Sequence, residues 1–161
     1  SGTSSFTMTG GSLTSRNGHV FHVTNTNAVI TLAGVTLVNE DEDDVLISVC
    51  DDGWSGASNI ATLNADGQVL EGAILVGDDA ALTLNLSNGS TLTGLVSGEI
   101  VNSKGETVST EVGTVSVALD ATSTWTLTGD SYVTEFNGDA ANVISNGYTL
   151  YVNGTALTGT K

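Results

Sequence analysis

A strand pattern rich in Thr and Gly recurs along this chain and repeats its apolar positions. Phe6 corresponds to Ile30 and Leu13 to Leu37, and both separations are 24 residues (30 − 6 and 37 − 13). A period of this size, made of strands and turns alone, is typical of a β-solenoid, because each rung must stack on its neighbours to bury its apolar residues. Such a stack presents a long repetitive surface, which suits an extended polymer as a ligand.

Turn residues and the alternation of apolar with polar side chains define the predicted strands, and no segment has helical periodicity. The pattern is interrupted twice, by an inserted loop at 50–59 and by a polar excursion at 104–113. We therefore predict a single all-β domain over residues 1–161, a right-handed parallel β-helix of about six rungs with Asn and Gly at its corners. The predicted strands are 6–9, 12–15, 20–24, 30–32, 35–38, 45–49, 60–63, 68–70, 73–76, 81–86, 90–93, 99–103, 115–119, 124–128, 132–136, 143–145 and 148–152.

The charge balance excludes several classes of partner. Three Lys or Arg against 18 Asp or Glu give a formal net charge of −15. This charge predicts no binding to nucleic acid or to anionic membranes, and no apolar run is long enough to span a bilayer. The single Cys50 cannot form an intrachain disulfide, and we expect it to be buried. The chain starts without Met, so we expect it to be processed or part of a longer protein.

Two stretches, residues 5–49 and 123–154, contain the segments Phe-Thr-Met-Thr-Gly-Gly-Ser-Leu-Thr and Trp-Thr-Leu-Thr-Gly-Asp-Ser-Tyr-Val. With these segments the chain resembles the pectate-lyase-like β-helix proteins, in particular the non-catalytic carbohydrate-binding domains of secreted bacterial proteins. The resemblance implies binding to a plant cell-wall polysaccharide, with xylan as first choice, and structural calcium. It also implies a secreted or cell-surface location and a tether to a catalytic or surface-anchoring domain. The alternative is a structural or adhesin segment without a ligand of its own.

No catalytic residues are predicted. Lyases of this fold need a base and cations that neutralise the substrate carboxylate. The cationic side chains here are scattered at Arg16, Lys104 and Lys161, and the Gly-His-Gly and Arg-x-Lys segments of related hydrolases are absent from the sequence.

Acidic residues concentrate at one predicted turn and in the loop after the next strand. Calcium takes six to eight hard oxygen ligands, so these acids form a candidate calcium site. The alternative is a solvated acidic turn. The candidate metal ligands are Glu40, Asp41, Glu42, Asp43 and Asp44, with Asp78 and Asp79 as a second group.

Sugar binding usually depends on aromatic rings with polar groups beside them. Trp54 lies in the Gly-rich inserted loop next to acids, although it could instead seal that loop against a rung. Trp125 shares a strand face with Leu127 and is assigned to the core. Tyr151 is expected to point outward, whereas Tyr132 is undecided because Val133 and Phe136 require opposite registers. The candidate carbohydrate-binding residues are Trp54, Asp51, Asp52, Tyr151 and Tyr132.

Overall fold

The computed structural model describes residues 2–51, 58–102 and 104–161. These residues form strands and turns, with one three-residue 3-10 helix at Ala140–Asn142. The all-β prediction is therefore confirmed. The strands are β1 Gly2–Thr9, β2 Ser12–Ser15, β3 Phe21–Val23, β4 Thr26–Ala33, β5 Thr36–Asn39, β6 Val45–Val49, β7 Asn59–Asp66, β8 Val69–Glu71, β9 Ala73–Val76, β10 Ala81–Ser87, β11 Thr91–Gly94, β12 Val96–Ser97, β13 Ile100–Val101, β14 Thr107–Ser109, β15 Thr114–Leu119, β16 Thr124–Leu127, β17 Ser131–Val133, β18 Glu135–Asn137, β19 Val143–Ile144, β20 Leu150–Val152 and β21 Thr155–Ala156.

The strands stack in three rows that the chain visits in a fixed rotation. The first row is one six-stranded sheet, β1-β4-β7-β10-β15-β18. The second row contains β2-β5 and β8-β11-β16-β19, and the third contains β3-β6-β9-β12 and β17-β20-β21. The described pairs are parallel except β13 with β14 and β20 with β21. This arrangement of parallel sheets is consistent with a β-solenoid.

The 24-residue repeat is confirmed at the start of the chain, where Phe6 pairs with Ile30 and Leu13 with Leu37. Later separations in the first row differ, because the loops between rows vary in length. Ala81 pairs with Ile60 on one side and with Thr114 on the other, which gives 21 and 33 residues (81 − 60 and 114 − 81). The stacking of apolar positions is kept while the period changes.

Alternation along the strands decides which side chains form the core. Leu82, Leu84 and Leu86 are buried between the rows, whereas Thr83 is exposed. Leu84 pairs with Leu63 on one side and Val117 on the other, so the apolar positions form continuous columns. Two predictions about the core are confirmed. Cys50 is buried, and Trp125 is fully buried with its indole N–H donating to the carbonyl of Gly94 at 2.9 Å.

Several corners use the left-handed backbone conformation, as predicted from the Asn and Gly content. Asn25, Asn88, Asn146 and Asn153 have φ values from 49° to 60°. Gly94 serves another purpose, since a Cβ atom there would lie 2.1 Å from the carbonyl oxygen of Gly72. Close approach of neighbouring turns therefore requires glycine at that corner.

The second row is interrupted between β5 and β8, which lie in separate sheets. The buried side chain of Gln68 lies between them. Its Oε1 accepts from the N–H of Val35 at 2.8 Å, and its Nε2 donates to the carbonyls of Val35 at 2.7 Å and Val69 at 2.9 Å. A side-chain amide thus takes the place of a backbone strand partner, and it satisfies polar groups that would otherwise be buried without one.

Two predicted strands are wrong in their placement. The sequence predicts a rung strand at 99–103, but the rung strand is β12, and Ile100–Val101 instead pairs antiparallel with Thr107–Ser109. The polar excursion therefore begins before residue 104. Residues 132–136 are two strands in different rows, β17 and β18, separated by a corner at Thr134. The hydroxyl of Thr134 donates to the carbonyl of Val115 and accepts from its N–H. This corner explains why Val133 and Phe136 required opposite registers.

The sequence predicts an inserted loop at 50–59. In the structure Asn59 already belongs to β7, and residues 52–57 lie outside the described residues. The described helical structure includes no segment long and apolar enough to cross a membrane.

Candidate functional site

A cleft of about 810 Å³ lies on the outer side of the third row. Strands β3 and β6 form its floor, and the β13–β14 hairpin stands at one side. Val101 and Val108 of the hairpin line the cleft and are about half exposed. The hairpin is held to the stack by the hydroxyl of Ser109, which accepts from the N–H of Asp78 at 3.1 Å. The cleft therefore combines an apolar wall with a polar floor.

Two histidines on the floor share one serine. Register pairs His22 of β3 with Ser48 of β6, at positions that alternate with the inward-facing pairs Phe21 with Ile47 and Val23 with Val49. The Nδ1 atom of His22 lies 2.6 Å from the Ser48 hydroxyl, and the Nδ1 atom of His19 lies 2.8 Å from it. The two ring centroids are 5.8 Å apart. Ser48 itself is fully buried beneath these rings. The arrangement is a compact hydrogen-bonded bridge.

The surroundings of His19 favour its neutral imidazole form. Burial lowers the pKa of His19, and the neighbouring His22 lowers it further. The carboxylates of Asp41 and Asp43 act in the opposite direction, but the net pKa shift is downward. His19 is therefore uncharged at neutral pH.

Carboxylates, together with Asn102 and Ser109, supply the remaining polar lining of the cleft. Asp43, Asp51 and Asp79 line the cleft, and neither Lys nor Arg does so within the described part of the chain. Carboxylate oxygens accept hydrogen bonds from hydroxyl groups, and they repel anionic ligands. The cleft thus suits a neutral, hydroxyl-rich ligand better than a polyuronate.

A stacked tyrosine pair lies further along the same row. Tyr132 of β17 pairs in register with Tyr151 of β20, and their rings are nearly parallel at 8° with centroids 5.3 Å apart. Tyr132 is 43% exposed. The N–H of Val96 in β12 donates to the hydroxyl of Ser131, which joins β17 to the strands beneath the cleft. With strands spaced at about 4.8 Å, Tyr132 lies two strands, or roughly 10 Å, beyond β9.

Some side-chain oxygen atoms of the acidic turn before β6 accept hydrogen bonds from backbone N–H groups of the same turn. Asn39 Oδ1 accepts from the N–H of Asp41 at 2.9 Å, and Asp41 Oδ1 accepts from the N–H of Asp43 at 3.0 Å. Glu40 forms an exposed ion pair with Arg16 at 3.8 Å. Asp44 has a left-handed φ of 50°, and its carbonyl accepts from the N–H of Ala73.

These contacts bear on the calcium prediction. In residues 2–51, 58–102 and 104–161, no group of three or more Asp, Glu, His or Cys side chains is arranged to hold a metal ion. Calcium binding by Glu40 to Asp44, or by Asp78 and Asp79, stays a prediction.

The predicted binding residues divide into three groups. Asp51 lines the cleft, together with Asp43 and Asp79, which were predicted as metal ligands. Tyr132 and Tyr151 contact each other but lie away from the cleft. Trp54 and Asp52 lie outside the described residues. Sequence reasoning missed His19, His22 and Ser48. One signal was available, since the only two histidines of the chain are three residues apart.

Comparisons with protein-family models, with curated proteins and with solved structures found no match for this chain.

Proposed function

We propose that this chain is a non-catalytic polysaccharide-binding module folded as a right-handed parallel β-helix of about six rungs. Three rows of parallel strands visited in rotation support the β-helix. Each pass from one strand of the first row to the next is a parallel crossover, and such crossovers are right-handed in about 98% of cases. The six strands of that row support the number of rungs.

The observation that carries the proposal is the composition of one side of the stack. The cleft offers carboxylates and imidazoles beside an apolar wall, and the stacked tyrosines follow along the same row. Polysaccharide-binding surfaces need polar groups for the hydroxyls and aromatic rings for the sugar faces. Both are present in the direction in which rungs stack, so an extended polymer can contact both.

The ligand is a neutral polysaccharide. The cleft carboxylates, on a chain of net charge −15, repel the carboxylates of pectic acid and so disfavour it as a ligand. Xylan remains the first choice, on the basis of the resemblance to β-helical carbohydrate-binding domains. The same resemblance supports a secreted or cell-surface location and a tether to a catalytic or anchoring domain.

The absence of catalysis is part of the proposal. Ser48 beside two imidazoles has the composition of a nucleophile with a base. Its side chain is fully buried, however, and both of its neighbours approach through Nδ1. Burial beneath two imidazoles disfavours attack by this hydroxyl on a substrate carbonyl or anomeric carbon.

Affinity electrophoresis on xylan, cellulose derivatives, pectin and mannan tests the proposal. We expect retardation by xylan and weaker or no retardation by pectin. Tyr132→Ala should weaken binding about tenfold, which corresponds to about 1.4 kcal/mol. The matched control is Tyr148→Ala, because Tyr148 is 42% exposed and lies outside the stacked pair. If the wild-type protein is retarded by none of the polymers, the function fails and the structural or adhesin segment replaces it.

A further inference from the structure

We propose that His19 and His22, bridged by Ser48, form a subsite of the cleft that recognises two neighbouring hydroxyl groups of one neutral sugar ring. This inference rests on the proposed function and deepens it. Sequence reasoning assigned no role to these three residues. The bridge determines which hydrogen-bonding groups each imidazole presents to a ligand.

The number of protons on the bridge requires the two imidazoles to be different tautomers. The Ser48 hydroxyl carries one proton, so it donates to the Nδ1 atom of one histidine only. The other histidine must then donate its own Nδ1 proton to the Ser48 oxygen. Because Nδ1 of each ring is occupied by Ser48, only Nε2 is left on each for a ligand.

The two Nε2 atoms therefore have opposite character. A neutral imidazole that carries its proton on Nδ1 has an accepting Nε2, whereas the other ring has a donating Nε2–H. A hydroxyl group both donates and accepts. Two adjacent hydroxyls can accordingly give one hydrogen bond to the first ring and take one from the second. The Asp43 and Asp79 carboxylates, which line the same cleft, accept from further hydroxyls.

The bridge restricts how many protons the two imidazoles of this subsite can take up. One of the two rings can become an imidazolium and still donate to Ser48. A second proton would leave the buried Ser48 O–H without an acceptor and put two cations at a ring distance of 5.8 Å. The charged groups that face the rings are Asp41 and Asp43 from the turn before β6, Asp51 after β6 and Asp79 after β9. The hairpin residues that line the cleft are not titratable.

Protonation of His19 should lower both the stability of the fold and the affinity for sugar. Because the pKa of His19 is lowered in the folded protein, the unfolded chain binds this proton more readily. The stability contributed by the neutral His19 ring is complete above the ordinary histidine pKa of about 6.5 and is lost as pH falls from that value through the lowered pKa of the folded protein. The first proton occupies the accepting Nε2 atom while the bridge itself persists, so sugar binding should weaken as pH falls through that lowered pKa.

Nitrogen-detected NMR of the two rings tests the bridge without any sugar. At about pH 7.5, we expect one ring to carry its proton on Nδ1 and the other on Nε2. In Ser48→Ala, both rings should move toward the same tautomer. If both rings of the wild-type protein have the same tautomer, the inference is overturned, whatever the protein binds.

Calorimetric titration with xylohexaose tests the subsite. We expect wild-type affinity to fall about tenfold between pH 7.5 and pH 5. His22→Gln should bind about tenfold more weakly at the higher pH and show a flatter pH profile. Ser97→Ala is the control, since Ser97 is the outward residue two strands further along the row from Ser48.

The outcomes separate the two proposals. If wild-type protein binds xylohexaose and His22→Gln binds equally well with the same pH profile, the subsite is wrong and the polysaccharide function stands. If wild-type protein binds neither xylohexaose nor any of the polymers, the proposed function fails, and the subsite fails with it. Thermal melts of Ser48→Ala and His22→Gln establish that each variant is folded.

Discussion

Gln68→Leu should destabilise the protein strongly, because Gln68 replaces a strand partner at the break between β5 and β8. The substitution keeps the side chain close to its original size but removes its amide. Val35 is 4% exposed, so its N–H and carbonyl would both lose their buried partner. Each buried polar group left without a partner costs about 1–3 kcal/mol. The loss at Val69 counts less, because that residue is 57% exposed and water can replace the amide.

We expect the free energy of unfolding to fall by about 3 kcal/mol, within a range of about 2–6 kcal/mol for two orphaned groups. Urea unfolding followed by tryptophan fluorescence measures this change as a shift in midpoint. The melting temperature should fall by roughly 6–12 °C for a chain of this size. Asn85→Ala is the control, since the Asn85 amide bonds to Asn64 Oδ1 at a partly exposed position. A Gln68→Leu protein within about 0.5 kcal/mol of wild type would refute the reasoning, because surface substitutions alone have effects of that size.

Three further predictions concern other parts of the chain. If the acidic turn at 40–44 binds calcium, the free energy of unfolding should be about 2.7 kcal/mol higher in calcium at a hundredfold excess over Kd than in chelator. Thermal melts that overlap in the two conditions would indicate a solvated turn. Trp54→Ala should weaken polysaccharide binding roughly thirtyfold with little change in the melt, and an unfolded variant would instead assign Trp54 to the core. The Asn88 N–H and the Thr122 hydroxyl lower the pKa of Asp120 to about 2, so carboxyl NMR should find its midpoint there. The stability contributed by Asp120 is then complete above the ordinary pKa of 3.8 and is lost as pH falls toward 2, and a midpoint near 3.8 would contradict these contacts.

Much of the fold could be predicted because alternation and burial have the same physical cause. Leu82, Leu84 and Leu86 occupy one strand face, and a face that stacks on both neighbours must be apolar. The failures occur where that signal is short. Strand β12 has two residues, Val96 and Ser97, which is too few for alternation to show. The apolar residues Ile100 and Val101 lie just after it, so the prediction shifted to them.

The cleft was harder to predict because its residues come from separate rungs and from the hairpin. Its lining begins at His19 and ends at Ser109, and no local pattern links those positions. A solenoid repeat explains how the rungs stack, but it says nothing about a segment that leaves the stack. Ser109 brings the hairpin back through one hydrogen bond to the backbone of Asp78. That contact depends on three-dimensional proximity, which local propensities do not encode.

The two sets of acids illustrate what a sequence pattern can and cannot specify. Five consecutive acids at 40–44 gave the strongest local signal for a metal site, yet Asp41 accepts from the backbone within the turn. Asp79 gave a weak signal, yet it lines the cleft together with Asp43 and Asp51. A high density of acidic residues in the sequence shows only that residues adjacent along the chain repel one another. A binding site instead requires charges that converge from separate rungs, as Asp43, Asp51 and Asp79 do in the cleft that we propose as the binding site.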